Sequence, residues 1–277
     1  MEGRFRGFEV ATSAGGVCTI KLNQPDRLNG TTQAMKRDLT EVLVQLQMDD
    51  DVRVVVITAT GRAFCAGDDM SGKPRDWDGA EPLVPQLPRG HGDPVGTYEG
   101  LRTMSQSLNL AVRALDKLTI AAVNGLAIQT GLTLALACDF RIASSDARLG
   151  SATLRFGLLP DEGGHALVVQ AIGIAKAMDF FMRKRILTAA EALEIGLLHE
   201  VVPPERLGAR TKELAEEFAA GPQTAMRMLK RSLYNALETP LAQSFDDIAL
   251  RTAVTDHHPD AKEGVRAFRE KRPARFA

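Results

Sequence analysis

Apolar positions in this chain change period as it proceeds, and the changes mark its elements. Residues 8–12 and 17–22 alternate around Ala14-Gly15-Gly16, which predicts a β-hairpin. Asn23-Gln24-Pro25-Asp26 breaks the second strand. Met35, Leu39, Val42, Leu43 and Leu46 then recur at helical spacing and predict a helix over 32–48. Asp49-Asp50-Asp51 ends it. Residues 52–58, β-branched at every position but Arg53, read as a strand covered on both faces. A second apolar strand, 118–123, ends at Asn124-Gly125. Gln129-Thr130-Gly131 opens an apolar helix through Ala137, and an extended run follows to Ala143.

Beyond the turn Pro160-Asp161-Glu162-Gly163-Gly164 the pattern is mostly helical. Thr188-Ala189-Ala190-Glu191 reads as a capping box, and Gly196 as the stop of its helix. A short strand at 198–202 closes at Pro203-Pro204. Further helices are predicted at 205–220, 222–237, 241–254 and 260–270. Residues 71–100 interrupt the pattern. They hold Pro74, Pro82, Pro85, Pro88 and Pro94, several glycines, His91 and the only tryptophan, Trp77. A loop of this length in a compact domain is usually functional, so the segment is expected to be a lid over a pocket. The predicted division is 1–200, an α/β core with the site, and 201–277, a helical region.

Composition narrows the function. A 44% hydrophobic content over 277 residues is enough for a real core, and a net charge of -1 with interleaved acids and bases argues against a nucleic-acid surface. Cys18, Cys65 and Cys138 are too few and scattered for a disulfide framework, and no Cys/His spacing suggests a metal site. No signal peptide opens the chain and no window appears long enough for a membrane span, so a cytoplasmic protein without a membrane partner is expected. His257-His258 before Pro259 reads as a helix-linker pair.

Two loops carry candidate chemistry. Ala66-Gly67-Asp68-Asp69 follows the 52–58 strand, and Gln129-Thr130-Gly131 follows the 118–123 strand. If those strands are neighbours, both loops emerge at one carboxyl edge, where α/β proteins bind ligands. Two backbone N–H groups could then converge on one oxygen as an oxyanion hole, suited to an enolate or tetrahedral intermediate. Spacing alone leaves the alternative that Gly67 and Gly131 are simple turn residues.

Phe64-Cys65-Ala66-Gly67-Asp68-Asp69, Ala122-Val123-Asn124-Gly125, Cys138-Asp139, and Phe156-Gly157-Leu158-Leu159-Pro160 with Gly163-Gly164 stand in the order and spacing of the crotonase family. The chain resembles this enoyl-CoA hydratase/isomerase superfamily over about residues 8 to 275. The resemblance implies an α/β crotonase (ClpP/crotonase-like) fold: a repeated ββα spiral core with a helical C-terminal region that serves oligomerisation. It also implies a homotrimer or dimer of trimers, and acyl-CoA substrates with no cofactor beyond the coenzyme A of the substrate. By position, the family's oxyanion donors fall on the backbone N–H groups of Asp68 and Thr130. An Asp after Gly67 is unusual there, and its carboxylate must point away from a developing anion. Coenzyme A contacts are implied at Phe64, Cys65, Ala66, Gly67 and Gly131, at Arg27, and at Phe268 and Lys271 of the basic tail, the last two across a subunit boundary.

The two glutamates that hydratases of this family use correspond here to Thr133 and Thr153, and a threonine hydroxyl is no general base near neutral pH. Asp161 stands where one branch of similar isomerases carries a single acidic base. It is the expected catalytic residue, the alternative being an N-cap of the following helix. Glu162 is the rival base or, more simply, a solvent-facing acid of the first turn. His165 is expected to be structural. Double-bond isomerisation of an enoyl-CoA is therefore the leading expectation. Hydration with non-standard acids, another acyl-CoA reaction such as hydrolysis or decarboxylation, and a non-catalytic acyl-CoA-binding subunit stand as alternatives.

Overall fold

A computed structural model describes residues 2–71, 83–84 and 92–276. The elements run β1 (Gly3–Phe5), β2 (Phe8–Thr12), β3 (Val17–Leu22), α1 (Gln33–Met48), β4 (Val54–Ala59), β5 (Ala63–Cys65), α2 (Pro94–Gly100), a π-helical turn (Leu101–Ser105) and α3 (Gln106–Ala114). Next come β6 (Leu118–Val123), β7 (Leu126–Ile128), α4 (Thr130–Ala137), β8 (Phe140–Ser144), β9 (Arg148–Gly150), α5 (Gly164–Met182), β10 (Ile186–Thr188), α6 (Ala189–Ile195) and β11 (Glu200–Val202). The chain ends in α7 (Leu207–Ala219), α8 (Gln223–Asn235), α9 (Leu241–Asp256) and α10 (Pro259–Glu270).

Among the described residues there are two sheets. One is seven-stranded in the order β1-β2-β3-β4-β6-β8-β11, the other four-stranded in the order β10-β9-β7-β5. β4, β6 and β8 pair in parallel in the first sheet, while β5, β7 and β9 pair in parallel in the second. Each of these three turns of chain therefore lays one strand in each sheet before its helix. That is the ββα spiral. The 52–58 and 118–123 strands are neighbours, as the site requires, with Val54 opposite Leu118. The two candidate loops, however, leave from β5 and β7, the short strands that follow β4 and β6.

Most local signals have visible causes. The Thr32 hydroxyl caps α1 by accepting from the Met35 N–H. Thr188 and Glu191 form the predicted capping box, and Gly196 ends α6 at φ 93°. Two expectations fail. The span 71–100 is not all loop: Asp93 caps α2, with Pro94 at its first position, where the missing N–H costs nothing. Trp77 and His91, proposed as lid residues, lie outside the described residues. And α5 is long and apolar enough, by length and composition, to cross a membrane, contrary to the sequence reading. Gly173 breaks its helical geometry midway (φ 75°, ψ 164°).

A buried ion pair ties the start of the chain to α1. Arg6 Nε and Nη2 each donate at 2.6 Å to the Asp38 carboxylate, which also accepts from the Val84 N–H at 3.2 Å. Arg6→Ala would leave Asp38, fully buried, without its cation. The expected loss is about 3–5 kcal/mol of stability, read as a shift of the denaturant midpoint without a change of slope.

Candidate active site

The two loops meet tightly. Gly131, the second residue of α4, lies so close to β5 that a Cβ there would stand 2.1 Å from the Cys65 carbonyl oxygen. Gly67 holds φ 104°, a conformation that glycine adopts without strain. An isolated parallel bridge joins Thr31 to Asp68. It uses the Gly67 carbonyl and the Asp69 N–H, so the Asp68 N–H stays outside the pairing. Thr130 opens α4, where the first N–H groups have no intrahelical acceptor. Both predicted donors are thus available at adjoining loops. Gln129, between β7 and α4, is held at φ 50°, ψ -106°, a conformation rare outside glycine.

Thr133 bonds Gln129 directly, and Thr153 is joined to it through Ser151. The Thr133 hydroxyl donates to the Gln129 carbonyl at 3.0 Å. Ser151 Oγ lies 3.2 Å from Thr153 Oγ1 and donates to Gln129 Oε1 at 2.8 Å. Neither position offers a carboxylate: the Thr133 hydroxyl is bonded to the Gln129 backbone, and the Thr153 hydroxyl pairs with that of Ser151.

A charged cluster lies beside the first loop. Lys36, from the buried face of α1, is 2% exposed. Its ammonium donates to Ser105 Oγ at 2.9 Å and to Glu162 Oε1, and forms an ion pair with Asp68 Oδ1 at 2.7 Å. Ser105 ends the π-helical turn. Asp68 Oδ1 also accepts from the Thr31 hydroxyl at 2.8 Å and the Thr130 hydroxyl at 3.2 Å. Burial acts to lower the Lys36 pKa, but the Glu162 and Asp68 carboxylates outweigh it and raise it above the ordinary lysine value. Burial pushes Glu162 above the usual carboxylate range, and the Lys36 ammonium offsets only part of this. Burial likewise pushes the Cys65 thiol up to about 12, so it is no nucleophile at neutral pH.

The expectation that Glu162 faces solvent is corrected here. Glu162 is 3% exposed and paired with Lys36, because the turn after Pro160 directs it inward under α3, where Asn109 Nδ2 donates to its carbonyl at 3.1 Å. Its Oε2 is buried with no hydrogen-bond partner among the described residues. Asp161 is the exposed neighbour. Gln106 Nε2 donates to its carbonyl at 2.9 Å, while the described residues give its carboxylate no hydrogen bond or ion pair. Asp161 does not cap α5: Gly163 occupies the cap at φ 94°, with no side-chain bond. His165 is exposed, its Nδ1 lying 2.9 Å from the Pro160 carbonyl oxygen.

The expected coenzyme A contacts are scattered. Phe64 and Cys65 are fully buried, and the Ala66 N–H already donates to the Leu28 carbonyl at 3.0 Å. Arg27 Nη1 donates to Ser71 Oγ at 2.6 Å and lies 3.6 Å from Asp69 Oδ2. Phe268 is 86% exposed, and Lys271 is the left-handed residue closing α10. Among the described residues no hydrogen bond or ion pair joins either to the two loops. Sequence reasoning missed Lys36, Ser105 and Thr31. Lys36 had left a signal: with Leu39 and Leu43 it shares one apolar stripe of α1, an unlikely place for a solvated lysine.

A two-sheet ββα spiral followed by a helical C-terminal region is the architecture of the crotonase superfamily. The sequence profile described as Enoyl-CoA hydratase/isomerase matches residues 12–80 and 88–277, and the chain belongs to that family. Two similar curated relatives differ in reaction. One is the 1,2-epoxyphenylacetyl-CoA isomerase of Escherichia coli, 33% identical over 94% of this chain and 95% of its own. The other is the (E)-benzylidenesuccinyl-CoA hydratase of Thauera aromatica, 31% identical over 94% of this chain and 95% of its own. The crystal structure of an enoyl-CoA hydratase from Bacillus anthracis superposes with a TM-score of 0.86 at 29% identity, covering 98% of each chain.

Proposed function

We propose that this enzyme isomerises the double bond of an enoyl-CoA through an enolate held by the Asp68 and Thr130 N–H groups, with Asp161 as the single proton-transfer base. One observation carries this reading. Threonine stands at both hydratase carboxylate positions, with its hydroxyl engaged, and Asp161 is the solvent-open carboxylate of the Pro160 turn. Hydration needs a base for water and an acid for the α carbon. Isomerisation needs one group that takes a proton from C2 and returns it at C4, or the reverse, while the oxyanion hole carries the charge.

Glu162 supports a second reading. It is buried, its pKa is raised, and one of its oxygens is unpartnered, which suits a carboxyl that holds a proton. Its engagement with Lys36 places it behind Asp161 as the weaker candidate.

Several coarser features belong to the same proposal. Coenzyme A is the carrier portion of the substrate, and no further cofactor takes part. Phe268 and Lys271 reach it across a subunit boundary, while Arg27 and the backbone of 64–67 and Gly131 line it within the subunit. Exposed apolar side chains on α5 (Ile174, Met178) and on α8 and α9 (Leu229, Leu233, Phe245) suit a homotrimer or dimer of trimers built on the 201–277 helical region. The three free, buried cysteines suit a cytoplasmic location.

The purified protein, given a 3-enoyl-CoA, is expected to produce the conjugated 2-enoyl thioester, followed by its ultraviolet absorbance. Given the 2-enoyl-CoA, it is expected to add no water, followed by mass. Rapid hydration without migration would replace the isomerase reading with the hydratase one.

A further inference from the structure

Asp68 presents a problem to the enzyme proposed above. Its N–H is assigned to the oxyanion, yet its carboxylate belongs to the same residue. An anion bonded to that N–H cannot stand more than about 7 Å from that carboxylate, by bond lengths and hydrogen-bond reach alone. A full negative charge at that distance opposes an enolate. The structure puts one cation there. Lys36 reaches from α1 through a buried path to an ion pair with Asp68 Oδ1 at 2.7 Å, and its ammonium donates to Ser105 and Glu162. The Thr31 and Thr130 hydroxyls bind the same Oδ1 at 2.8 and 3.2 Å, so the carboxylate is held from three sides.

We infer that Lys36 is a positioning residue of the oxyanion site, which neutralises the Asp68 carboxylate and fixes its direction so that the Asp68 N–H can serve a substrate enolate. The inference rests on the assignment of the Asp68 N–H to the oxyanion. It accounts for a fully buried lysine on the apolar stripe of α1. It also separates the two carboxylates. Glu162, 3% exposed, takes up a proton if the ammonium is removed, because burial disfavours its charged form. The Asp68 side chain is 57% exposed. Loss of Lys36 therefore leaves the carboxylate of the donor residue itself, Asp68, without its cation. Cys65, the other titratable group close by, is held as a neutral thiol.

A probe that needs no turnover is acetoacetyl-CoA, whose C2 proton is acidic and whose enolate absorbs in the near ultraviolet. Its apparent pKa when bound measures oxyanion stabilisation directly. The wild-type protein is expected to lower that pKa relative to the free ligand. Lys36→Met is expected to weaken enolate binding by on the order of 50-fold, with the keto form bound as before. Lys36→Met/Asp68→Ala is expected to return to within a few-fold of wild type. Asp68→Ala alone keeps the ammonium and is expected to strengthen enolate binding by roughly tenfold. That variant alters an exposed side chain and keeps the test available if Lys36→Met does not fold.

A double variant as poor as Lys36→Met, or an Asp68→Ala that weakens the enolate, makes Lys36 a structural residue and overturns the inference. A Lys36→Met that binds the enolate like wild type overturns it too, with the oxyanion reading intact. A wild-type protein that binds acetoacetyl-CoA without lowering its pKa removes the oxyanion reading itself, and the inference falls with it.

Discussion

Asp161→Asn is expected to lower kcat for 3-enoyl-CoA isomerisation by about 10²–10⁴-fold, with KM for the thioester changed by no more than a few-fold. The substitution keeps size and shape but removes the ability to accept a proton. The described residues give the Asp161 carboxylate no hydrogen bond or ion pair, so no described contact is lost. Stability is therefore expected to stay within about 0.5 kcal/mol of wild type, as for other surface substitutions. Glu162→Gln is the matched control. The amide can still accept from Lys36, and Asp68 and Ser105 still hold the ammonium. Its expected loss is tenfold or less. The reverse order, a large loss for Glu162→Gln and a small one for Asp161→Asn, transfers the base to Glu162.

Gly131→Ala is expected to remove activity by about 10²–10³-fold through geometry alone. The added methyl would stand 2.1 Å from the Cys65 carbonyl oxygen and 2.9 Å from its carbon, far inside van der Waals contact. These are backbone atoms of β5, so no flexible side chain can yield. Either α4 or the 65–68 loop must shift, and the Asp68 and Thr130 N–H groups no longer aim at one point. Losing a single oxyanion donor costs about 3–4 kcal/mol of barrier. The same clash strains the contact between α4 and β5, so a lower unfolding midpoint is expected as well. Comparing Gly131→Ala with Gly157→Ala isolates the effect. Gly157 has φ 72°, and nothing lies within 4 Å of a Cβ there, so its variant carries backbone strain without a clash. Equal activity in the two variants would show that the loops need not touch.

Much of the fold was legible because its signals are local. The α1 and α6 caps lie within four residues of sequence, and β2, β3 and β6 are long enough to display their period. The second sheet was not legible. β5, β7, β9 and β10 have three residues each, too few for any period, and their pairing is wholly long-range. That is why the two loops were assigned to the ends of the longer strands. α2 was missed because five prolines within 71–100 read as loop, although Pro94 fits the first turn of a helix. At the site, the family motifs pointed to the Asp68 and Thr130 N–H groups as donors. They could not decide between Asp161 and Glu162, adjacent carboxylates whose directions depend on how the Pro160 turn meets α3. Lys36 was masked by its neighbours. Its partners lie at positions 68, 105 and 162, and only the folded chain brings them within hydrogen-bond distance.

The central claim is that an acyl-CoA enolate forms at the Asp68 and Thr130 N–H groups. Its most direct test is deuterium wash-in from heavy water into 3-enoyl-CoA, read by mass spectrometry over many turnovers. The account predicts deuterium at C2 and C4 of the pooled 2- and 3-enoyl thioesters, with wash-in abolished by Asp161→Asn. Saturable binding of the thioester with no deuterium at either carbon would contradict it.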